Sequence, residues 1–566
     1  MIRVSALVAA AALLMGASRP PTVDYRLGAD LQGDSPPILT VEMRFQGDDD
    51  GETTLDLPDR FRGSQAAWRY IFDLQVRGAQ AATPDPAHRV LTHKPGAKID
   101  VRYRVQSAYP QDPAAEAGNP LKGPLLRPSG VAALGPLVFA IPEGRDLEGA
   151  TFRWGRLPKG WSGASDLEHA EMGRWISVAD IVDSVSLAGP ELEVSEQDLD
   201  GGRLRIARLG GPPAEAVAKA AAPVLAAENA YWNEPPGPQL LAVVGLAGPA
   251  VGAGGDGFLD AFALYASPDA LDRVAETTAL RNLESWIPAR IGRVEGPPAA
   301  TAWLREGISD FLAARILLRA GAETPAQAVE RLGGALYVYD HSPVRTATGQ
   351  QAAAGWAANA DLRQIVRQRG VLLALMWDDA IRQRTGGKAD LDDVLVRMRD
   401  HYRQFRPGEG PDLVTGLLSA AWVAAGVDLR PDIARYIERG EVIELPAEMF
   451  GGCLQARVTT SPAYDIGFDA DRSIAAHVVS GVRRRGPAWN SGLRDGMALV
   501  SGRYQAGDTA RQVEFTVRTG KGRRARTRTI AYWPYGDDDA VTRKLQLTPG
   551  LSADEIVACG RRFAGL

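Results

Sequence analysis

Glu284-Ser285-Trp286-Ile287-Pro288-Ala289-Arg290-Ile291, followed by Trp303-Leu304-Arg305-Glu306-Gly307-Ile308-Ser309-Asp310-Phe311, is the part of this 566-residue sequence on which its reading turns. The second run lies inside Ala300 to Ala320, where apolar residues recur at spacings of three and four, the pattern of a helix that faces a core. Asp361 to Arg384 and Leu391 to Phe405 repeat it, with Leu372, Leu373, Leu375 and Met376 along the apolar side of the former. Helical texture begins near Pro212, where Pro213-Ala214-Glu215 opens an alanine-rich stretch through Trp232, and it lasts to about Gly440. A short apolar strand at Leu240 to Leu246 and a glycine-rich loop at Gly252 to Gly257 interrupt it. Residues 211–445 therefore read as a mainly α domain with a small β element. No histidine occurs between Ala170 and Asp340.

On the N-terminal side, residues 19–210 alternate apolar and polar positions in short runs such as Ile38 to Phe45 and Lys98 to Val105, punctuated by Gly, Pro and Asp. Period-two patterning of this kind predicts antiparallel strands in a β-sandwich. Pro110 to Pro128, rich in Pro, Gly and Ala, reads as a long loop. On the C-terminal side, residues 446–566 return to alternation, with candidate strands at Ala475 to Val479, Val513 to Val517 and Thr527 to Tyr532. At the start, Arg3, the uncharged run Val4 to Leu14 and the small residues Gly16-Ala17-Ser18 make residues 1–18 a secretory signal peptide. An exported, periplasmic protein follows, with no membrane span after signal cleavage, because the run is shorter than the roughly 20 residues a bilayer requires.

Net charge is -5 and hydrophobic residues make up 45% of the chain, ordinary values for a folded soluble protein. The basic residues are scattered apart from Arg483-Arg484-Arg485 and Lys521 to Arg528, so nucleic acid is not an expected partner. Two cysteines, Cys453 and Cys559, bracket the C-terminal region. In an oxidising compartment they are candidates for a disulfide that would stabilise by roughly 3 to 5 kcal/mol; two free thiols are the alternative.

Taken in order, Gly254 to Leu264, Glu284 to Ile291, Trp303 to Phe311, Ser342-Pro343-Val344-Arg345, Arg369-Gly370-Val371-Leu372 and Thr385-Gly386-Gly387 ahead of Leu391-Asp392-Asp393 resemble the glycyl aminopeptidase family of zinc metallopeptidases, peptidase family sixty-one. The resemblance covers nearly the whole mature chain. It implies a multi-domain α+β protein with an N-terminal β-sandwich, a central thermolysin-like (gluzincin) domain and a C-terminal PDZ-like β module. For that module Tyr464 to Phe468, Gly486-Pro487-Ala488 and Ser491 to Gly496 carry the likeness. Ile466, Gly467 and Phe468 would form the loop whose backbone N–H groups receive a peptide C-terminus.

Members of that family hold zinc with a helix bearing H-E-x-x-H, followed by a Trp and an Arg-Ile pair, and with the Glu of a W-x-x-E-G motif. Two His one turn apart meet the metal, the intervening Glu activates its water, and the downstream Glu completes a tetrahedral site. With Trp286 and Arg290-Ile291 marking the register, the first His position is Leu280, the base is Arg281 and the second His is Glu284. Only Glu306 keeps a ligand type. Leucine has no lone pair, and an arginine in place of the base repels a dication. Zinc and other cofactors are therefore not expected. Glu284 is expected to be solvated or paired to an arginine, with Arg281 and Arg290 in reach. Glu306 would sit at a helix start, favoured by its positive end. Gly254 and Gly255 resemble the family's substrate-cleft segment, although a tight turn explains them as well. Trp286 and Trp303 are expected in the core.

The sequence thus predicts a catalytically inactive, exported homologue of these peptidases, with peptides or exported proteins as partners. The alternatives are an active aminopeptidase with a rearranged metal site and a purely structural envelope protein.

Overall fold

A computed structural model of the chain describes residues 22–33, 35–61, 64–109, 119–168, 175–199, 202–233, 239–245, 253–258, 260–288, 290–406, 409–520 and 526–566. The expected signal peptide, His169, the first part of the Pro110 loop and Lys521 to Ala525 lie outside the described residues.

The N-terminal region is built on a six-stranded sheet formed by Thr22–Gln32 (β1), Ser35–Gln46 (β2), Ile71–Arg77 (β3), Lys98–Val105 (β4), Gly149–Trp154 (β5) and Ile176–Ser177 (β6), in the order β6-β5-β1-β2-β4-β3. Its alternation is the one read from sequence. Val23, Tyr25 and Leu27 are buried while Asp24 and Arg26 are exposed. Two four-stranded sheets, built on Glu52–Asp56 with His88–Thr92 and on Gly130–Leu134 with Val185–Gly189, share the same core.

A five-stranded sheet links this region to the helices. Its strands are Glu193–Leu199 (β7), Gly202–Leu209 (β8), Gln239–Gly245 (β9), Ala253–Gly257 (β10) and Ala261–Ala266 (β11), in the order β7-β8-β9-β11-β10. β8 and β9 are parallel and are joined through the helix Ala214–Trp232 (α1), a strand-helix-strand crossover. The boundary expected at residue 210 falls between the paired parallel strands β8 and β9, and one face of this sheet packs into the N-terminal core.

The helical body comprises Val274–Trp286 (α2), the continuous run Pro298–Ala302 (α3), Trp303–Ile308 in π-helical form and Ser309–Arg319 (α4), then Pro325–His341 (α5), Ala360–Thr385 (α6), Leu391–Tyr402 (α7) and Leu413–Ala425 (α8). Its core gathers Leu283, Trp286, Trp303, Phe311, Leu372 and Trp377. Trp286 stacks on Trp232 with centroids 4.7 Å apart, and Trp303 meets Trp377 edge-on at 5.9 Å. Both tryptophans are core residues. α6 ends on Gly386 at φ 62°, and Asp390 caps α7. Asp392 and Asp378 then hold the fully buried Arg315, so the Thr385 to Asp393 motif is a helix-turn-helix clasp.

The C-terminal region is split between two cores. Leu454–Tyr464 (β12) pairs with Tyr535–Leu547 (β16), and these strands pack with the terminal helix Ala553–Phe563 against the helical body. Asp340 of α5 binds Arg543 of β16 at 2.5 Å, and His341 reaches Ser461 of β12 at 2.7 Å. Cys453 and Cys559 are disulfide-bonded at this seam. Between β12 and β16, Ala498–Arg503 (β13), Val513–Thr519 (β14) and Arg526–Tyr532 (β15) form a small sheet with its own core around Phe468, Leu499 and Phe515. The strand expected at Ala475 to Val479 is instead the end of a helix, Ala470–Ala476, capped by Asp469 and closed by His477 at φ 52°. Among the described residues, no helix is long and apolar enough to cross a membrane.

Candidate functional site

α2 buries Ala279, Leu283 and Trp286, spaced four and three residues apart, and ends where Pro288 removes the next amide donor. It is tied to α1 by the Trp286–Trp232 stack and by a short hydrogen bond from Asn282 to the buried carboxylate of Glu228. Burial pushes that Glu228 carboxyl well above its usual range. With those residues inward, Leu280, Arg281 and Glu284 occupy the adjoining face. Leu280 is half-buried against the core. Arg281 Nη1 donates to Glu284 Oε1 at 2.5 Å, with 25% and 19% of the two side chains exposed. Arg290 lies over the Trp286 ring at 4.2 Å and reaches Asp260 at 3.7 Å. The expected arginine partner of Glu284 is therefore Arg281.

β10 runs beside α2. A Cβ at Gly257 would lie 1.8 Å from the Arg281 carbonyl oxygen, so only glycine allows the strand so close to the helix. Gly254 and Gly255, expected in a loop, are in this strand and pair with β11. Their own absent side chains make room for the Tyr265 hydroxyl and the Ala263 carbonyl. β10 is an edge strand of its sheet.

Glu306 is in the π-helical turn, more than one turn past Pro298, not at the helix start that the sequence suggested. A dipole at the helix N-terminus does not explain it, because that effect fades within the first turn. The turn crosses α6 at two glycines. A Cβ on Gly370 would meet the Trp303 carbonyl oxygen at 1.8 Å, and one on Gly307 would meet the Arg367 carbonyl oxygen at 2.3 Å. This backbone contact delivers Arg367 to the site. Arg367 grips Asp310 through Nη2 to Oδ1 at 2.6 Å and through Nε to the other oxygen. Its guanidinium also feels the charges of Glu306 and Glu284. Burial raises the Glu306 carboxyl above its usual range, and the Glu284 charge adds to that, while Arg367 and Arg305 oppose it. The cluster is two guanidinium groups, Arg281 and Arg367, each bound to a carboxylate, Glu284 and Asp310, with the buried Glu306 within reach of the charges of Arg367 and Glu284.

These residues do not fit a zinc ion. The position of one imidazole is a hydrocarbon, the position of the base is a cation, and a second cation from α6 faces the remaining carboxylates. The histidines of the helical domain are elsewhere: His341 binds Ser461, and His401 meets the Phe405 ring edge-on. Among the described residues, no group of three or more His, Cys, Asp or Glu side chains is arranged to hold a metal. Arg367 and Asp310 were not singled out from sequence. The signal present was Gly370, whose neighbour across the crossing cannot be read from one chain.

In the C-terminal module the Gly467 N–H is used by Asp465 Oδ1 at 2.8 Å, the Ile466 carbonyl accepts from the Tyr532 hydroxyl at 2.7 Å, and Phe468 packs edge-on against Phe515. Gly467, at φ 81°, sits hard against Ala488. A helix follows the loop where a peptide-pairing strand was expected. Ile466 to Phe468 thus form an inward-turned packing loop.

No family model and no curated protein matches the chain. Among solved structures, the aminopeptidase N family protein from Idiomarina loihiensis superposes with a TM-score of 0.65 at 14% identity, over 95% of this chain and 100% of that one. The M1 zinc metallopeptidase from Deinococcus radiodurans gives a TM-score of 0.49 at 14% identity, over 76% and 96%. The chain shares the multi-domain fold of that aminopeptidase N family structure.

Proposed function

We propose that the chain is an exported, catalytically inactive homologue of glycyl aminopeptidase-type metallopeptidases, in which salt bridges fill the place of the zinc centre. The supporting observation is the Arg281–Glu284 pair beside the Arg367–Asp310 pair, with the Arg367 guanidinium in the field of both Glu306 and Glu284. A dication entering this cluster must displace or face protein cations, and the neighbours offer carboxylates already engaged. Export to the periplasm is supported by the Arg3 to Ser18 pattern and by a disulfide of the kind that persists in oxidising compartments. The partners proposed are peptides or exported proteins. The PDZ-like assignment of residues 446–566 is kept as a reading of architecture, with its loop in a packing role.

The test is an aminopeptidase assay on glycyl and alanyl peptides with and without added zinc. The expected result is no amino-acid release in either condition. Turnover abolished by a chelator would establish instead a rearranged metal site.

A further inference from the structure

The outward face of the six-stranded sheet carries a groove of about 410 Å³. Strand register arranges its floor in two rows. One reads Thr151, Asp24, Arg44, Asp100, Arg77 across β5, β1, β2, β4 and β3; the next reads Arg153, Arg26, Glu42, Arg102, Gln75. The middle of the groove is internally balanced. Arg44 binds Asp100 at 2.5 Å, Arg102 lies 3.9 Å from Glu42, and Asp24 accepts from Thr151 at 2.6 Å. The two ends are not. Among the described residues, Arg26, Arg153 and Arg77 have no carboxylate in ion-pair range. Arg26 and Arg153 are moreover direct register partners on neighbouring strands. Like charges so placed destabilise a sheet. Five arginines against three carboxylates give the groove a net charge of +2, opposite in sign to the chain's net -5.

We propose that this groove docks an extended acidic segment of a partner polypeptide, with carboxylates at both ends of the bound stretch and neutral residues between. The spacing selects a polypeptide. From β5 to β3 there are four inter-strand steps of about 4.8 Å, roughly 19 Å in all, which about six extended residues cover. A single small anion reaches only the Arg26 and Arg153 end. The balanced centre repels neither sign and accepts an uncharged stretch of chain.

The test uses the full chain and the peptide Glu-Glu-Ser-Gly-Ser-Gly-Glu-Glu, labelled for fluorescence anisotropy at low salt. Arg153→Gln and Arg77→Gln should each weaken binding about tenfold, whereas Arg397→Gln, on an exposed helix face elsewhere, should leave it unchanged. Replacing the peptide's glutamates by glutamines should abolish binding. Absence of binding at millimolar peptide, or equal binding by all three variants, overturns the proposal. So does loss confined to Arg153→Gln with full displacement by millimolar inorganic phosphate, which would mark a small-anion site. Thermal unfolding supplies a second readout. Removing the Arg26–Arg153 repulsion should leave the Arg153→Gln melting temperature equal or higher, and a clear drop would contradict the uncompensated charge on which the proposal rests.

Discussion

The α6 side and the α2 side of the Arg281 to Asp310 cluster differ in what fixes their residues in position. On the α6 side, Glu306-Gly307 and Arg369-Gly370 stand where helices touch backbone to backbone, and any side chain at either glycine would strike a carbonyl oxygen. On the α2 side the backbone contact is made by Gly257 of β10 against the Arg281 carbonyl oxygen and leaves the side chains of Arg281 and Glu284 partly exposed, while Ala279, Leu283 and Trp286 hold the helix in the core. The positions that match the resemblance, Trp303, Glu306, Gly307 and Gly370, lie at the packed crossing, and those that do not, Leu280, Arg281 and Glu284, lie on α2. On the proposed reading, packing keeps the shape of this region, and salt bridges stand where the resembled family would hold its zinc.

The sharpest way to break that contrast is at the crossing. Gly370→Ala should cost about 3 kcal/mol, because the added methyl overpacks the Trp303 carbonyl and outweighs the roughly 1 kcal/mol that alanine gains in helix propensity. Denaturant unfolding reads it, and a neutral effect would show the crossing to be loose. Next comes Asp310→Ala, which deprives Arg367 of both its close hydrogen bonds. The side chains are 20% and 35% exposed, so solvent screening limits the loss to about 1 to 2 kcal/mol.

Glu306→Gln is a smaller and oppositely signed probe. Its carboxyl is raised in the fold, chiefly by burial, so ionised Glu306 costs stability that is absent below the ordinary carboxylate range and appears as pH rises through the raised value. The glutamine variant should therefore be as stable as the parent at pH 8 or slightly more so, and a little less advantaged at pH 4, in paired unfolding curves. A strong loss at pH 8 would mean that Glu306 works as an ionised partner. Smallest is Arg281→Ala, expected at about 0.5 kcal/mol because the pair with Glu284 is partly solvated.

Much of the body was legible from local patterning. Alternation placed β2 and β4, and apolar spacing placed α4, α6 and α7. What sequence concealed was long-range. The strand-helix-strand unit through β8, α1 and β9 is recognisable only once β8 is seen to pair with β9, so the boundary fell at 210. Ala475 to Val479 alternates like a strand, but Asp469 caps a helix there. Arg367 belongs to the site through a contact between segments some sixty residues apart, and no periodicity announces it.

The central claim is that the loss of zinc chemistry is local to α2, and zinc uptake measured side by side in two proteins tests it most directly. The parent chain, equilibrated with zinc and freed of excess, should retain far less than one ion. The Leu280→His, Arg281→Glu, Glu284→His combination, which restores two imidazoles beside Glu306, should retain about one. Stoichiometric zinc on the parent chain would contradict the account, as would a restored triple variant that folds and still binds none.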